Sequence, residues 1–334
     1  MIQVALVYGG NSTEWEISVL SGKNVASQLD ANKYRVFEIL LRDTSWQLVA
    51  VDGVDCSHQG IQIDKNNFTA TWEGNKVVFD VALIMIHGTP GENGMFTSYL
   101  EMLHIPHTGC PAPIALITFE KFACKCFLRQ ADILMPREYR LMRSQYKQLT
   151  QEALVAGITA AAGPLPWFVK PNAAGSSFGV TKVKTVSELQ AALEDAFTEG
   201  DVVLIEEFIQ GRELTNGIMG DIRLPVTEII PHRDCEFFDY KAKYNGASSE
   251  VTPAAISPEL TSRIQEESAR IYDYLGCKGV VRMDYIVRDD AIYFLEVNTI
   301  PGMTRMSLVP QQIRAAGRSV SEFMDTLITR ALER

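Results

Sequence analysis

Four polar side chains stand out in the last third of the chain. Arg282 and Asp284 lie two residues apart in VVRMDYIVR, and Glu296 and Asn298 lie two apart in AIYFLEVN. Both runs are otherwise mostly apolar, and Asp289-Asp290 falls between them as a turn. Strand side chains two apart share a face, and a hairpin makes residues of its two strands neighbours. The four groups then converge on one face, where a buried carboxylate is costly unless something pairs with it. Three oxygen-bearing side chains without His or Cys favour a hard cation such as Mg²⁺. Such an ion takes a few protein oxygens and completes its octahedron with water and phosphate oxygens. A strand-face salt bridge of Arg282 with Asp284 or Glu296 is the other reading of the same pattern.

Three further stretches carry reactive types. In WFVKPNAAGSSFGV, Lys170 ends an apolar strand, and Gly175, Ser176, Ser177 and Gly179 make a small-residue loop. Small residues let backbone amides approach an anion, and hydroxyls add donors. It is not a Walker loop, because the lysine precedes the glycines and a strand follows; a plain surface hairpin stays open. EEFIQGRE places Glu206, Glu207 and Glu213 where they suit a ribose or an adenine amino group better than a phosphate. Alone, that stretch reads better as a solvated acidic face. HGTPGENG ends a strand in a glycine-rich turn with His87 and Glu92, and a lone His there is more often structural. Gly9-Gly10 is a weak phosphate loop, since GxGxxG spacing is missing.

The elements that must position these groups follow from periodicity. IQVALVYGG, YRVFEILL and VFDVALIMIHG read as strands, with helical spacing in NSTEWEISVLSGKNVASQL. Strands alternating with helices predict a parallel α/β unit over residues 1–110, bounded by Pro111 and Pro113. Beyond it, LITFEKFACKCFLRQ reads as one helix, LPWFVKPNAAGSSFGVTKVK as two strands around the small-residue loop, and SELQAALEDAF as a helix capped by Ser187. VVLIEEFIQGRELTNGIMG reads as strand, turn, strand. FFDYKAKYNGASSEVTPA reads as a polar loop, PELTSRIQEESARIYDYLG as an amphipathic helix closed by Gly276, and VSEFMDTLITRALER as a terminal helix.

Bulk composition narrows the classes. The chain has 334 residues, 46% hydrophobic and 22% charged, which suits two or three packed units. A net charge of -10 argues against a general nucleic-acid binder. Apolar runs are too short to span a bilayer, and no signal peptide is expected. The six cysteines are scattered without a CxxC pair, so reduced, mostly buried thiols in the cytoplasm are expected.

Taken in order, the blocks VYGGNSTEWEIS, HGTPGENG with YLEMLHIPHTG, VKPNAAGSSFGV, EEFIQGRE, FFDYKAKY, RMDYIV and LEVNTIPGMTRMSLVP resemble the D-alanine–D-alanine ligases of the ATP-grasp superfamily. The likeness runs from residue 4 to about residue 325, and its most specific block is E-x-N-T-x-P-G-M-T. It implies a three-domain ATP-grasp fold: a Rossmann-like parallel α/β domain (1–110), a central lid domain (111–205) and an α+β catalytic domain (206–334). It implies a reaction in which ATP phosphorylates one D-alanine and the amine of a second attacks the acyl phosphate. Phosphoryl transfer of this kind needs positioning and charge neutralisation more than covalent help.

By that resemblance, Asp284, Glu296 and Asn298 match ligands of two Mg²⁺ ions, which Mn²⁺ can replace. Lys121 and Lys170 match phosphate contacts, with Ser177 in the covering loop. Glu206 and Glu207 fall at the adenine, Glu213 at the ribose, and Lys243 at the transferred phosphoryl group. Glu14 matches the partner of the first substrate's ammonium, Ser176 and Tyr244 link it to a closing loop from about Asp239 to Thr252, and His87 lies nearby. Arg282 and the Gly302 N–H match an oxyanion hole, and Ser307 and Leu308 match contacts to the second D-alanine. A homodimer is also implied, without nucleic-acid or membrane partners. Asn93, Glu120, Trp15 and the FTSYLE stretch depart from the usual pattern, which leaves the packing around the first substrate open. Rivals are a D-alanyl-D-lactate or D-alanyl-D-serine ligase, disfavoured by Tyr244, a silent nucleotide-binding module, and a Rossmann oxidoreductase lacking its glycine fingerprint.

Overall fold

The computed structural model describes residues 1–173, 175, 178–231 and 248–333. The chain opens with β1 (Ile2–Gly9), whose Val4 to Tyr8 are all buried because the strand lies inside a sheet. Helix α1 (Trp15–Ala26) follows, then β2 (Tyr34–Arg42), β3 (Ser45–Val51) and β4 (Val54–Asp55). A small hairpin, β5 (Thr69–Trp72) and β6 (Asn75–Val78), precedes β7 (Val81–Ile84) and α2 (Met95–Met102). The sheet order is β4-β3-β2-β1-β7. Strands β2 and β7 flank β1 in parallel, as the alternating pattern predicts, while β3 and β4 add an antiparallel edge.

VFDVALIMIHG is not one strand. Val77 and Val78 pair with β5, and the run beginning at Val81 joins the main sheet. LITFEKFACKCFLRQ is likewise two helices, α3 (Ala112–Phe119) and α4 (Lys121–Leu128), separated at Glu120, whose backbone is extended (φ -84°, ψ 92°). An apolar or helical periodicity does not reveal a single residue that leaves the pattern.

A second, antiparallel sheet is built from β8 (Glu138–Met142), β9 (Trp167–Pro171), β10 (Thr181–Val183) and β11 (Val202–Glu207), in the order β10-β9-β11-β8. Helices α5 (Arg143–Tyr146), α6 (Gln151–Ala162) and α7 (Leu189–Ala196) connect them. The cap before α7 is Thr185 rather than Ser187: a 3-10 turn (Val186–Glu188) intervenes, and Glu188 accepts from the amides of Lys184 and Thr185. Trp167, Leu193 and Phe197 fill the core on this sheet.

The third sheet holds β12 (Arg212–Met219), β13 (Ile222–Pro231), β14 (Ser248–Val251), β15 (Val281–Arg288) and β16 (Ala291–Asn298), ordered β14-β13-β12-β15-β16. Strand β14 thus occupies part of the expected polar loop. Asp289 and Asp290 both take left-handed φ (49° and 64°), the conformation of a tight two-residue hairpin turn. Helix α8 (Pro258–Leu275) starts with the Ser257 hydroxyl accepting from the Leu260 amide and ends at left-handed Gly276. Two helices close the chain, α9 (Leu308–Ala315), which the sequence reading did not anticipate, and α10 (Val320–Leu332).

The units interlock. Phe323, Met324 and Ile328 of α10 pack with Leu6 of β1 and Leu83 of β7, and Val309 of α9 joins them. Ala115, Cys124 and Leu128 of α3 and α4 enter the core beneath the third sheet with Ile271 and Tyr285. Each fully buried side chain of this kind contributes roughly 1.5–3 kcal/mol, so the interfaces between units are part of the core. Strand β11 ends two residues past the expected boundary at 205. Cys56, Cys110, Cys124 and Cys277 are buried free thiols, Cys126 is half-buried, and Cys235 lies outside the described residues. Among the described residues no helix is long and apolar enough to cross a membrane.

Candidate active site

The hairpin of β15 and β16 pairs Arg282 with Asn298 and Asp284 with Glu296. A bulge follows at once, because Tyr285 pairs with Phe294 and Leu295 is the extra residue. Asp284 is grasped on several sides. Arg282 donates from Nε to Oδ1 (2.9 Å) and from Nη2 to Oδ2 (2.8 Å), the Thr215 hydroxyl donates to Oδ1, and Asn298 Nδ2 donates to Oδ2 (3.1 Å). Burial disfavours the guanidinium charge, but Asp284 together with Glu296 and Glu92 outweighs burial and holds its pKa above the usual value. The salt bridge allowed by the sequence is therefore present on this face. It coexists with an oxygen donor set.

Glu296 lies 3.3 Å from Lys121 Nζ, which α4 brings across to the hairpin. Among the described residues no three His, Cys, Asp or Glu side chains form a metal cluster. Asp284 and Glu296 supply two carboxylates and Asn298 an amide oxygen, all on one sheet face. That donor set fits a hard divalent cation shared with phosphate oxygens.

Lys170, at the end of β9, sits opposite Leu204 of β11 and reaches Glu206 with Nζ 2.8 Å from Oε2. Glu206 is also bonded by Lys125, and Lys125 lies 3.5 Å from Glu138, which pairs with Arg129. These groups are nearly solvent-free except for Arg129. Burial would raise the Glu206 pKa, but the ammonium groups of Lys125 and Lys170 reverse this and lower it. Burial lowers the Lys170 pKa, and Lys125's charge adds to the effect. Lys125 and Glu138 were missed from sequence. The usable signal was that Lys125 is four residues from Lys121 on one helix face.

The side chains of Glu206 and Glu207 have different partners, because successive strand residues face apart. Glu207 accepts from the Arg137 backbone amide (2.8 Å), Nε (3.0 Å) and Nη2 (2.8 Å). Glu213, half-buried on β12, shares a face with Thr215, whose hydroxyl touches Asp284. Glu120 accepts from Asn172 Nδ2, while Asn172 Oδ1 accepts from the Phe122 amide. The departing Glu120 thus ties the start of α4 to the end of β9.

On the other side of Arg282 lies a second cluster. His87 is buried, and its Nδ1 donates to the Ile300 carbonyl (2.8 Å). Burial lowers its pKa, so the ring is neutral and Nε2 accepts from the Ser21 hydroxyl (2.9 Å). Ser21 Oγ in turn accepts from the Met303 amide (3.1 Å), and Asn24 donates to the Met303 carbonyl (2.7 Å). Glu92 accepts from the amides of Gly88 (2.8 Å) and Ile300 (3.2 Å). Its carboxyl is pushed up to about 7 by burial and by the charge of Glu14. Nothing local in the glycine-rich turn shows that the Glu92 carboxylate turns inward to hold two backbone amides.

Glu14 stands immediately before α1. A Cβ on Gly175 would lie 2.0 Å from Glu14 Oε2, so a side chain there would displace this carboxylate. The departing Trp15 lies under Arg42, whose guanidinium sits 4.7 Å from the ring centre. The other departure, Asn93, donates to Thr89 Oγ1 (3.3 Å) and accepts from the Met95 amide (3.2 Å). Ser307 precedes α9, where Leu308 is the first, buried residue. Its Oγ accepts from the Thr304 amide (3.1 Å) and lies 2.9 Å from where a Cβ on Gly302 would be. Ser176, Ser177, Lys243 and Tyr244 lie outside the described residues.

Three sheets meeting around a carboxylate-and-arginine hairpin, with lysines from α4 and β9 turned toward it, make this an ATP-grasp fold. The model of the D-ala D-ala ligase N-terminus matches residues 3–110, and that of the D-ala D-ala ligase C-terminus matches residues 127–329. The D-alanine–D-alanine ligase of Bacteroides fragilis is 41% identical over 330 residues, covering 97% of this chain and 98% of that one. The crystal structure of the VanG D-Ala:D-Ser ligase from Enterococcus faecalis superposes with a TM-score of 0.85 at 31% identity, covering 99% of both chains. The D-alanine–D-alanine ligase from Bacillus anthracis complexed with ATP gives 0.77 at 29% identity, covering 100% of this chain and 98% of its own. The chain belongs to the D-ala D-ala ligase family.

Proposed function

We propose that the protein joins two molecules of D-alanine into D-alanyl-D-alanine while cleaving ATP to ADP and phosphate. The observation that carries this reading is the register of β15 and β16, which sets Arg282, Asp284, Glu296 and Asn298 on one face with Lys121 against it. In the first step a carboxylate oxygen of one D-alanine attacks the γ-phosphorus, and the bond to ADP breaks. In the second, the free amine of the other D-alanine attacks the acyl carbon, the amine loses a proton, and phosphate leaves.

Lys121 and Lys170 neutralise phosphate charge, with Ser177 and Lys243 assigned to the same task. Glu206 and Glu207 hold the adenine end, Glu207 through its backbone, since its carboxylate is taken by Arg137. Glu213 takes the ribose. Glu14 receives the first ammonium, with Ser176 and Tyr244 linking it to the closing loop. His87 and Glu92 brace the Ile300–Met303 segment so that the Gly302 amide and Arg282 face the developing oxyanion. Ser307 and the N-terminus of α9 receive the second carboxylate, against Leu308. Asp284, Glu296 and Asn298 would hold Mg²⁺, or Mn²⁺ in its place, in a two-ion site; when bound, the metal neutralises charge on the phosphates.

The relatives at 41% identity are D-alanine–D-alanine ligases, which supports D-alanine in both positions over D-serine or D-lactate. The product serves peptidoglycan precursor synthesis in the cytoplasm, and the resemblance supports a homodimer, which sedimentation equilibrium tests. The activity is tested by phosphate release with ATP and Mg²⁺ across D-alanine, D-serine, D-lactate and L-alanine, with mass identification of products. Dipeptide from D-alanine supports the reading, and turnover only with another acceptor overturns it.

A further inference from the structure

On the first sheet, away from the hairpin, a cleft of about 630 Å³ opens between α1 and strands β2 and β3. That is within the roughly 300–1,000 Å³ typical of small-molecule sites. Val19 of α1, Val36 and Leu40 of β2 and Val49 of β3 give it apolar walls. Glu38 lines it too, in a strand position whose neighbours on the same face, Val36 and Leu40, are apolar. This carboxylate is only 5% exposed. Its Oε2 accepts from the Tyr8 hydroxyl at 2.9 Å, and Oε1 has no hydrogen-bond partner among the described residues.

An N–H group entering the cleft would find this oxygen as an acceptor set among apolar walls. The surrounding charge favours a cation. Lys23 is the one basic side chain lining the cleft, against the carboxylates of Glu38, Asp52 and Asp55. Asp52 accepts from the Val36 amide and Asp55 from the Ser57 amide at exposed positions, whereas Glu38 is the carboxylate set within the apolar walls. Burial raises the Glu38 pKa against the opposing effects of Tyr8 and Lys23.

We propose that this cleft binds a small organic ammonium with an apolar body, its N–H groups on Glu38, and that binding there alters the affinity for the first D-alanine. The route is α1 itself. Val19 and Lys23 face the cleft, while Ser18 bonds Gly9 and Met85 and Ser21 bonds His87 and Met303 on the other side. Glu14 stands at the same helix's start.

The test uses the full chain and phenethylammonium chloride, with 3-phenylpropionate as an anion of similar shape, in titration calorimetry and in D-alanine kinetics. Saturable binding of the ammonium and none of the anion is expected. Glu38→Gln, which keeps an acceptor for Tyr8, should weaken binding by about tenfold or more. Ala26→Trp, which fills the cleft, should abolish it, and both variants should retain ligation. At saturating ammonium the KM for the first D-alanine should shift in the wild type and not in Glu38→Gln. No saturable binding, or equal binding in both variants, overturns the site, and binding with an unchanged KM overturns the coupling. The coupling half rests on the ligase reading, whose own failure would show as no dipeptide without the ammonium, leaving the binding result intact.

Discussion

Glu92 and Ile300, 208 residues apart, are joined by a hydrogen bond of 3.2 Å from the Ile300 amide to Glu92 Oε1. The carbonyl of the same Ile300 accepts from His87 Nδ1. Both polar groups of this residue, just past the β15–β16 hairpin, are thus held by the first unit. Three residues on, the Met303 amide and carbonyl are held by Ser21 and Asn24 of α1. Gly302 lies between these two anchor points.

Glu92→Gln should change how stability depends on pH. The Glu92 carboxyl is raised to about 7 by burial and Glu14, so between about 4.5 and 7 the folded state holds a proton that the unfolded state has lost. Its contribution to stability therefore falls as pH rises through that window, by on the order of 3 kcal/mol in total. Urea unfolding at several pH values should show this slope in the wild type and a flatter one in Glu92→Gln. Equal slopes would remove Glu92 as its source.

Lys125→Met should destabilise more than Lys121→Met. Lys125 is fully buried between Glu206 and Glu138, whereas Lys121 is partly exposed. Stripping one partner from a buried ionic group costs about 3–5 kcal/mol. Denaturant melts of the two variants make the comparison, and equal losses would mean that the buried carboxylates find protons or other partners.

Gly175→Ala should raise the KM for D-alanine by about tenfold or more while leaving the fold intact, because the new methyl group occupies the place of Glu14 Oε2. Initial rates against D-alanine give the answer. An unchanged KM would mean that the loop can rest elsewhere without disturbing the first ammonium site.

Glu296→Ala should abolish ATP-dependent phosphate release while its circular dichroism stays that of the wild type. It removes a proposed metal ligand and the partner of Lys121 from a half-exposed position. Wild-type turnover would remove Glu296 from the metal set.

The hairpin was legible in the sequence because its information is local: alternation sets the faces, and two aspartates in the left-handed region set the turn. Helix α8 was legible for the same reason, through Ser257, Pro258 and Gly276. The charged box of Lys125, Glu138, Glu206 and Lys170 was not, because it needs the register of β11 against both β8 and β9. The break at Glu120 and the split between β6 and β7 each turn on one or two residues whose fate tertiary contacts decide. Resemblance named Glu206 and Glu207 together, and strand alternation separates their side chains.

The central claim, that a D-alanine carboxylate is phosphorylated before the peptide bond forms, is tested most directly with D-alanine labelled by ¹⁸O in its carboxylate. The account predicts that each dipeptide formed is accompanied by one inorganic phosphate carrying a single ¹⁸O from the substrate. Dipeptide formation with unlabelled phosphate would contradict it.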